Sequence, residues 1–151
     1  MNTEKANKMM RTFLSITALI FMAACSTKPV PLVAGKDECA SCAMSITDLK
    51  YGAELITEKG KVYKFDDMLC LMNYITGELK ATEKIKTLLI SDYNTQQLIE
   101  VENAIYLNSE TLHTPMNGQV AAFANQTEAE KVNLEFPGKL IKWNEVQQLF
   151  K

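Results

Sequence analysis

The order of the predicted elements constrains the fold of this chain more than any other sequence feature. Two apolar runs, Ala53–Thr57 and Val62–Phe65, flank a short turn in which Gly60 supplies the unusual backbone angle, and this pattern predicts a β-hairpin. Apolar residues at helical spacing then predict a helix over residues 66–76, with Asp66 as its cap. The first half of the chain thus begins with two strands and a helix.

The second half shows the same order. The remaining predicted strands are at 87–91, within 99–107, at Val120–Phe123 and at 139–143. Thr127, with Glu130 three residues later, predicts a capping box at the start of a helix that ends before Pro137. Asn144 is expected to cap a last short helix.

The repeated order indicates a fold class. The chain is predicted to be an α+β protein of two small related ββαβ subdomains in tandem, with a short C-terminal helix. The first unit is assigned to residues 37–94 and includes a C-x-x-C-x-M loop before its first strand. The second is assigned to residues 95–151.

The first 24 residues have the pattern of a cleavable export signal. Basic residues precede an uncharged run over residues 12–24, which is too short to span a bilayer and typical of a signal sequence. The run ends at Met22-Ala23-Ala24-Cys25, which resembles the bacterial lipobox, whose cysteine is lipidated. We expect Cys25 to anchor the chain to a membrane, and Ser26 after it favours the outer membrane.

Residues 25–36 contain two prolines and a glycine and predict a flexible tether between the lipid and the folded part. Beyond the signal, the chain carries 13 Lys and Arg against 17 Asp and Glu, so its net charge is −4. The sequence shows neither a basic patch nor a nucleic-acid motif. Nucleic acid is therefore excluded as a partner.

Three sulfur-bearing side chains fall close together in the motif Cys39-Ala-Ser-Cys42-Ala-Met44. Thiolate and thioether sulfurs are soft donors, which select Cu(I) over magnesium, calcium or manganese. On an extended segment, Cys42 and Met44 would project to the same side and could hold one ion between them. The motif therefore favours a Cu(I) site.

The Cys39/Cys42 pair also fits other interpretations. In an exported protein, a C-x-x-C pair is often a structural or redox-active disulfide. Met44 favours copper, and so does the context, because the pair does not lie between a strand and a helix whose N-terminus could lower a thiol pKa. Zinc is disfavoured, since the chain has one C-x-x-C pair and one histidine.

Other possible donors lie elsewhere in the chain. A polar turn contains His113, the single histidine, and Met116, and both residue types bind copper, although an exposed turn with an incidental histidine accounts for the pattern equally. Cys70 lies in the predicted helix between Met68 and Met72. We expect it to be a buried core thiol, with a copper relay as the alternative.

Taken together, these motifs resemble the NosL family, the accessory lipoproteins of nitrous-oxide reductase maturation. The matching features are the lipobox at Cys25, the C-x-x-C-x-M motif from Cys39 to Met44, Phe65-Asp66-Asp67 with Cys70 in the following helix, Thr114-Pro115-Met116 followed by Gly118, Ala122-Phe123-Ala124, and Trp143. The family commonly has glycine where this chain has Ala43. It also has a glycine-rich loop where Asn117 and Gln119 stand.

The resemblance implies a periplasmic Cu(I) metallochaperone, not an enzyme, built from two homologous ββαβ units. It implies Cys42 and Met44 as the first copper ligands, Cys39 in support, and Met116 as a further donor or partner contact. His113 is added from its residue type alone. The resemblance also implies delivery of copper toward the copper–sulfide centre of nitrous-oxide reductase, together with a membrane ABC-type maturation complex.

Two rival functions stay open at this stage. An exported thiol–disulfide oxidoreductase would use Cys39 and Cys42 and would need a depressed thiol pKa. An organomercurial lyase or mercury-binding protein would need two cysteines and an acid, a role open to Asp66 or Asp67 near Cys70. Acyl transfer and nucleotide binding are disfavoured, because the sequence lacks their motifs.

Overall fold

The computed structural model describes residues 29–151 of the chain. The predicted signal segment and Cys25 lie outside the described residues. Among the helices of residues 29–151, none is long and apolar enough to cross a membrane. The described part is built on two antiparallel sheets, one from each half of the chain.

The first sheet has four strands in the order β2-β1-β3-β4. These are β1 (Ala53–Thr57), β2 (Val62–Phe65), β3 (Ile85–Ser91) and β4 (Leu98–Glu100). Strands β1 and β2 form the predicted hairpin, in which Ala53 pairs with Phe65 and Ile56 with Val62. Strand β1 is buried along its whole length, and β2 and β3 pair with it on its two edges.

A short helix, α1 (Met68–Asn73), follows β2 and continues as a π-helical turn over Tyr74–Glu78. Asp67 caps α1, and its carboxylate accepts a hydrogen bond from the Leu69 N–H at 2.5 Å. The predicted cap, Asp66, is therefore wrong by one residue. The consequence is functional, because the side chain of Asp66 takes another role that is described below.

The second sheet has the strand order β6-β5-β7. The elements of this half are β5 (Ile105–Asn108), β6 (Val120–Phe123), α2 (Gln126–Glu135), β7 (Lys139–Ile141) and α3 (Trp143–Leu149). Strand β5 lies between its hairpin partner and the strand after the helix, just as β1 lies between β2 and β3. The predicted α+β fold of two related ββαβ units in tandem is thus confirmed.

Both helices of the second half begin earlier than predicted. The side chain of Asn125 caps α2 by accepting a hydrogen bond from the Glu128 N–H at 3.0 Å, so the predicted Thr127 cap is wrong. Asparagine is the stronger N-cap residue of the two, which explains the shift. Asn144, the predicted cap of α3, lies inside that helix.

Strand β4 changes the division between the two units. It follows the boundary placed at residues 94 and 95, yet it pairs with β3, with Ile99 opposite Ile90. The first sheet therefore extends into the region assigned to the second unit. At the end of β3, a parallel bridge from Asp92 to Ala122 of β6 brings the two sheets together.

The segment predicted as a tether packs against the folded part from residue 30 onward. The Val30 N–H donates to both carboxylate oxygens of Glu54 on β1, each at 3.2 Å. Leu32 packs against the core, and the Gly35 N–H donates to the Ile46 carbonyl at 2.8 Å. Residues 30–36 are therefore not flexible tether, because an apolar side chain and two backbone donors find partners on the domain.

The two units share one main core. Residues from the first unit, such as Leu55 and Phe65, pack in the same buried cluster as Tyr106 and Ile141 of the second. The buried Tyr106 hydroxyl donates to the Val101 carbonyl at 2.7 Å, so its one polar atom is satisfied. A common core means that loops from both units can contribute to one site.

Candidate metal centre

The Cys39–Met44 segment is a tight turn that lies before β1. The Cys39 N–H donates to the Met44 carbonyl at 2.8 Å, and the Ala43 N–H donates to the Cys39 carbonyl at 2.9 Å. The prediction of an extended segment is wrong here, because these bonds fold the chain back on itself. The Ala40 N–H donates to the Lys64 carbonyl at 2.8 Å, which fastens the turn to β2.

Four potential metal ligands converge beneath this turn. The ligand atoms of Cys39, Cys42, Asp66 and Cys70 all lie within 4.8 Å of one another. The Cys42 sulfur lies 3.8 and 3.9 Å from the two carboxylate oxygens of Asp66. We call these four residues the thiol–carboxylate cluster. Donors on opposite sides of an ion with metal–sulfur bonds of about 2.3 Å are about 4.6 Å apart, so the cluster is compact enough for one ion.

Three separate elements supply the cluster. The turn carries Cys39 and Cys42, the junction between β2 and α1 carries Asp66, and α1 carries Cys70. Cys39, Asp66 and Cys70 are each only 2% exposed, whereas Cys42 is half-buried. The predicted burial of Cys70 is therefore confirmed, but its thiol lies among candidate ligands and not in a purely apolar surrounding.

Cys39, Cys42 and Cys70 are free thiols, and the surroundings of Cys39 and Cys70 favour the protonated form. Burial raises the pKa of the Cys39 thiol, against the opposing effect of the Cys42, Asp66 and Ser41 backbone N–H groups. Burial also raises the pKa of Cys70, and the neighbouring Cys39 and Asp66 add to that rise. A reactive redox thiol needs the opposite shift, which neither Cys39 nor Cys70 shows.

Asp67 joins the two units beside the cluster. Its carboxylate accepts hydrogen bonds from the Thr114 hydroxyl, from the Met116 N–H at 3.0 Å and from the Gly118 N–H at 3.3 Å. A Cβ at Gly118 would clash with the Asp67 carboxylate, which these hydrogen bonds hold in place, so glycine is favoured at this position. The 114–118 loop of the second unit is thus held at the N-terminus of α1.

Three residues in the loops around the site have a backbone conformation that favours glycine. Ala43, Asn117 and Gln119 have φ angles of +58°, +59° and +58°. An L-residue in this left-handed region carries a steric cost of roughly 1–2 kcal/mol, with asparagine among the more tolerant types. These three residues therefore adopt the turn geometry at some cost in stability.

An open cleft of about 370 Å³ adjoins the cluster. Its lining residues are Met44, Ser45, Thr47, Asp48, Asp66, His113, Thr114 and Pro115. Met44 is 48% exposed and His113 is also exposed, while Met116 is partly buried against the core. Asp66 belongs to both the cleft and the cluster, so the cleft reaches the carboxylate member of the cluster.

The structure thus sorts the predicted site residues into two groups. Cys39 and Cys42 lie in the thiol–carboxylate cluster, whereas Met44 and His113 lie on the adjoining cleft. Met116 belongs to neither group and packs against the core. Asp66 and Cys70 complete the cluster, although the sequence did not indicate them as ligands. The position of Asp66 beside the helix cap is only a weak indication in the sequence that it could be a ligand. The cluster forms only because tertiary packing brings α1 under the turn.

Fold and site together define a small α+β protein with a thiol-rich candidate metal centre. The family model of NosL matches residues 29–150, and the chain belongs to the NosL family. The fold is similar to the crystal structure of the copper chaperone NosL from Shewanella denitrificans, with a TM-score of 0.68 and 20% sequence identity. The match covers 81% of this chain and 98% of that one. A comparison with curated proteins gives no match.

Proposed function

We propose that this protein is a Cu(I) metallochaperone that carries copper at the thiol–carboxylate cluster. The observation that carries the proposal is the convergence of three cysteine thiols and one carboxylate within 4.8 Å. Soft sulfur donors suit Cu(I), which accepts as few as two or three of them. Membership of the NosL family and the copper chaperone among its structural relatives support the same cargo.

Exchange of the ion with a partner needs an accessible ligand. Cys42 is half-buried at the edge of the cluster, and Met44 stands 48% exposed at the adjoining cleft. A thioether is a neutral donor that a partner ligand can displace. We assign Cys42 and Met44 to the handover of copper, with His113 and Met116 as further donors near the same cleft.

The proposal includes a location and a recipient. We place the protein on the periplasmic side of the outer membrane, held by a lipid on Cys25 after removal of residues 1–24. The recipient is the copper–sulfide centre of nitrous-oxide reductase, reached with a membrane ABC-type maturation complex. The support for this part is the lipobox at Cys25 and the chain's membership of the NosL family.

An anaerobic Cu(I) titration of the full chain in detergent tests the cargo. We expect an endpoint near one equivalent with sulfur-to-copper absorption, and its loss in Cys42→Ser. Met68→Leu is the matched control, because it changes a buried sulfur of α1 that lies outside the cluster. A missing endpoint in the unaltered chain would contradict the proposal.

Zinc binding and the two rival functions need separate measurements. Zinc is included because three cysteines and a carboxylate also satisfy a tetrahedral zinc site. We expect Cu(I) to displace bound zinc from the cluster. Displacement of Cu(I) by zinc would instead assign the cluster as a zinc site. We also expect neither catalysis of insulin reduction nor release of hydrocarbon from methylmercury. Either activity would show that the protein is an enzyme and not a metal carrier.

A further inference from the structure

One thiol of the thiol–carboxylate cluster comes from outside the C-x-x-C-x-M motif. Cys70 lies on α1, away from the C-x-x-C-x-M motif in sequence, and its sulfur nevertheless lies within 4.8 Å of the Cys39 and Cys42 sulfurs and of an Asp66 oxygen. It is 2% exposed. A purely structural core thiol would be expected among apolar side chains, whereas Cys70 faces two thiols and a carboxylate.

The neighbouring Met68 and Met72 show the difference. All three sulfur residues of α1 are buried. At 3.6 residues per turn, Met68 and Met72 project from roughly the opposite side of the helix to Cys70. The register of α1 therefore places the Cys70 thiol, and not the two thioethers, toward the Cys39–Met44 turn.

Cys39 lies in the same interior, since its sulfur belongs to the cluster and the residue is 2% exposed. Cys39 and Cys70 together thus form an inner pair of donors, both shielded from solvent.

Cys42 occupies an intermediate position between this inner pair and the cleft. It is half-buried, and its sulfur lies 3.8 Å from Asp66, which also lines the cleft with Met44. Resting on the proposed function, we propose that Cys70 is a copper ligand and that Cu(I) has two positions with Cys42 in common. The inner position uses Cys39, Cys42 and Cys70, and the outer one uses Cys42 and Met44.

The two positions separate retention from delivery. An ion on the inner donors is out of reach of a competing ligand, because Cys39 and Cys70 are buried. Moving to the outer position exchanges those two sulfurs for the exposed Met44 thioether while the Cys42 bond persists. Each thiol that binds as thiolate releases its proton to solvent, and each thiolate that leaves the ion takes a proton back, whereas the Met44 thioether binds and leaves without proton transfer.

Competition with a Cu(I) chelator on the full chain tests this arrangement. We expect Cys70→Ser to lose copper at a chelator concentration at least about tenfold lower than the unaltered chain needs. Loss of a ligand should weaken a metal site at least as much as loss of a hydrogen bond that supports a ligand. Met44→Leu should retain copper nearly as well but transfer it more slowly. Met68→Leu should behave as the unaltered chain.

X-ray absorption at the copper edge gives a second reading that needs no variant of Cys70. The loaded chain should show three sulfur neighbours, and Met44→Leu should keep the same number. If the number falls in Met44→Leu, or if Cys70→Ser retains copper as well as Met68→Leu does, the two-position arrangement is wrong. If the unaltered chain binds no copper, the proposed function itself fails.

Discussion

The Thr114 hydroxyl donates a hydrogen bond to the carboxylate of Asp67, and this contact joins residues 47 positions apart. The same carboxylate caps α1 through the Leu69 N–H. One side chain therefore orders the helix that carries Cys70 and the loop that carries Met116. Asp67 lies outside the thiol–carboxylate cluster, yet both sides of the candidate site depend on its position.

Removing the Asp67 carboxylate should destabilise the protein strongly. Asp67→Ala loses an N-cap worth about 1 kcal/mol and leaves the buried donors of the 114–118 loop without their acceptor, so we expect a total loss of about 3 kcal/mol. Urea unfolding measures it. Thr114→Val removes one of these bonds and should cost about 1 kcal/mol.

A double-mutant cycle separates the Asp67–Thr114 contact from general damage. If the two residues act together, the double variant should be less destabilised than the sum of the single variants. Strict additivity would mean that the Asp67–Thr114 contact does not stabilise the fold, and the Met116 and Gly118 N–H groups alone would then join the loop to this carboxylate.

Ala43→Gly should stabilise the protein by about 1 kcal/mol. Ala43 has a φ of +58°, and glycine removes the steric cost of that conformation, which outweighs the greater freedom of glycine in the unfolded chain. Ala43 is exposed, so the loss of its methyl group opens no cavity. Thermal unfolding at neutral pH measures the effect.

Ala40→Gly is the matched control for this change. Ala40 lies in the same turn and is also exposed, but its φ is not positive. We expect a slight destabilisation there, because only the entropy of the unfolded chain changes. Equal effects at the two positions would show that the backbone angle of Ala43 is not the cause.

Glu54 should make stability depend on pH. Burial raises the pKa of this carboxyl, while the Val30 N–H and Lys64 oppose the rise. A raised pKa in the folded state means that the stabilisation is present below the unfolded value of about 4.3 and is lost as pH rises through the folded value. Glu54→Gln should therefore increase the free energy of unfolding at pH 7 and increase it less at pH 4.

The exposed Glu58 near the end of β1 provides the control for this measurement. Glu58→Gln should change the unfolding free energy little at either pH. If Glu54→Gln gives the same change at pH 4 and pH 7, its effect comes from packing and not from the charge. Chemical unfolding at both pH values, with each variant beside the unaltered chain, distinguishes the two results.

Cys25→Ser should abolish membrane attachment. A lipid on Cys25 places the chain in the detergent phase of a phase-separating detergent, because buried acyl chains dominate the partition. The variant should partition to the aqueous phase or accumulate with its signal attached. Recovery of a processed Cys25→Ser chain in the detergent phase would contradict a lipid anchor at this position.

Local patterns were sufficient to predict most of the elements. The turn at Gly60, the apolar runs of β1 and β2, and the repeated order of strands and helices are short-range features, so they can be detected within a few neighbouring residues. The errors lie where two local solutions compete. Asp66 and Asp67 are both suitable caps by type, as are Asn125 and Thr127, and packing chose between them.

The sequence by itself determined the ββαβ repeat, the position of the soft donors in the C-x-x-C-x-M turn, and the burial of Cys70. The tertiary structure decided which donors meet. It brought Cys70 and Asp66 to Cys39 and Cys42, placed Met44 at the cleft, and packed residues 30–36 onto the domain. The physical reason is that spacing along the chain sets only local geometry, whereas the cluster depends on the register in which α1 packs beneath a turn more than 20 residues earlier.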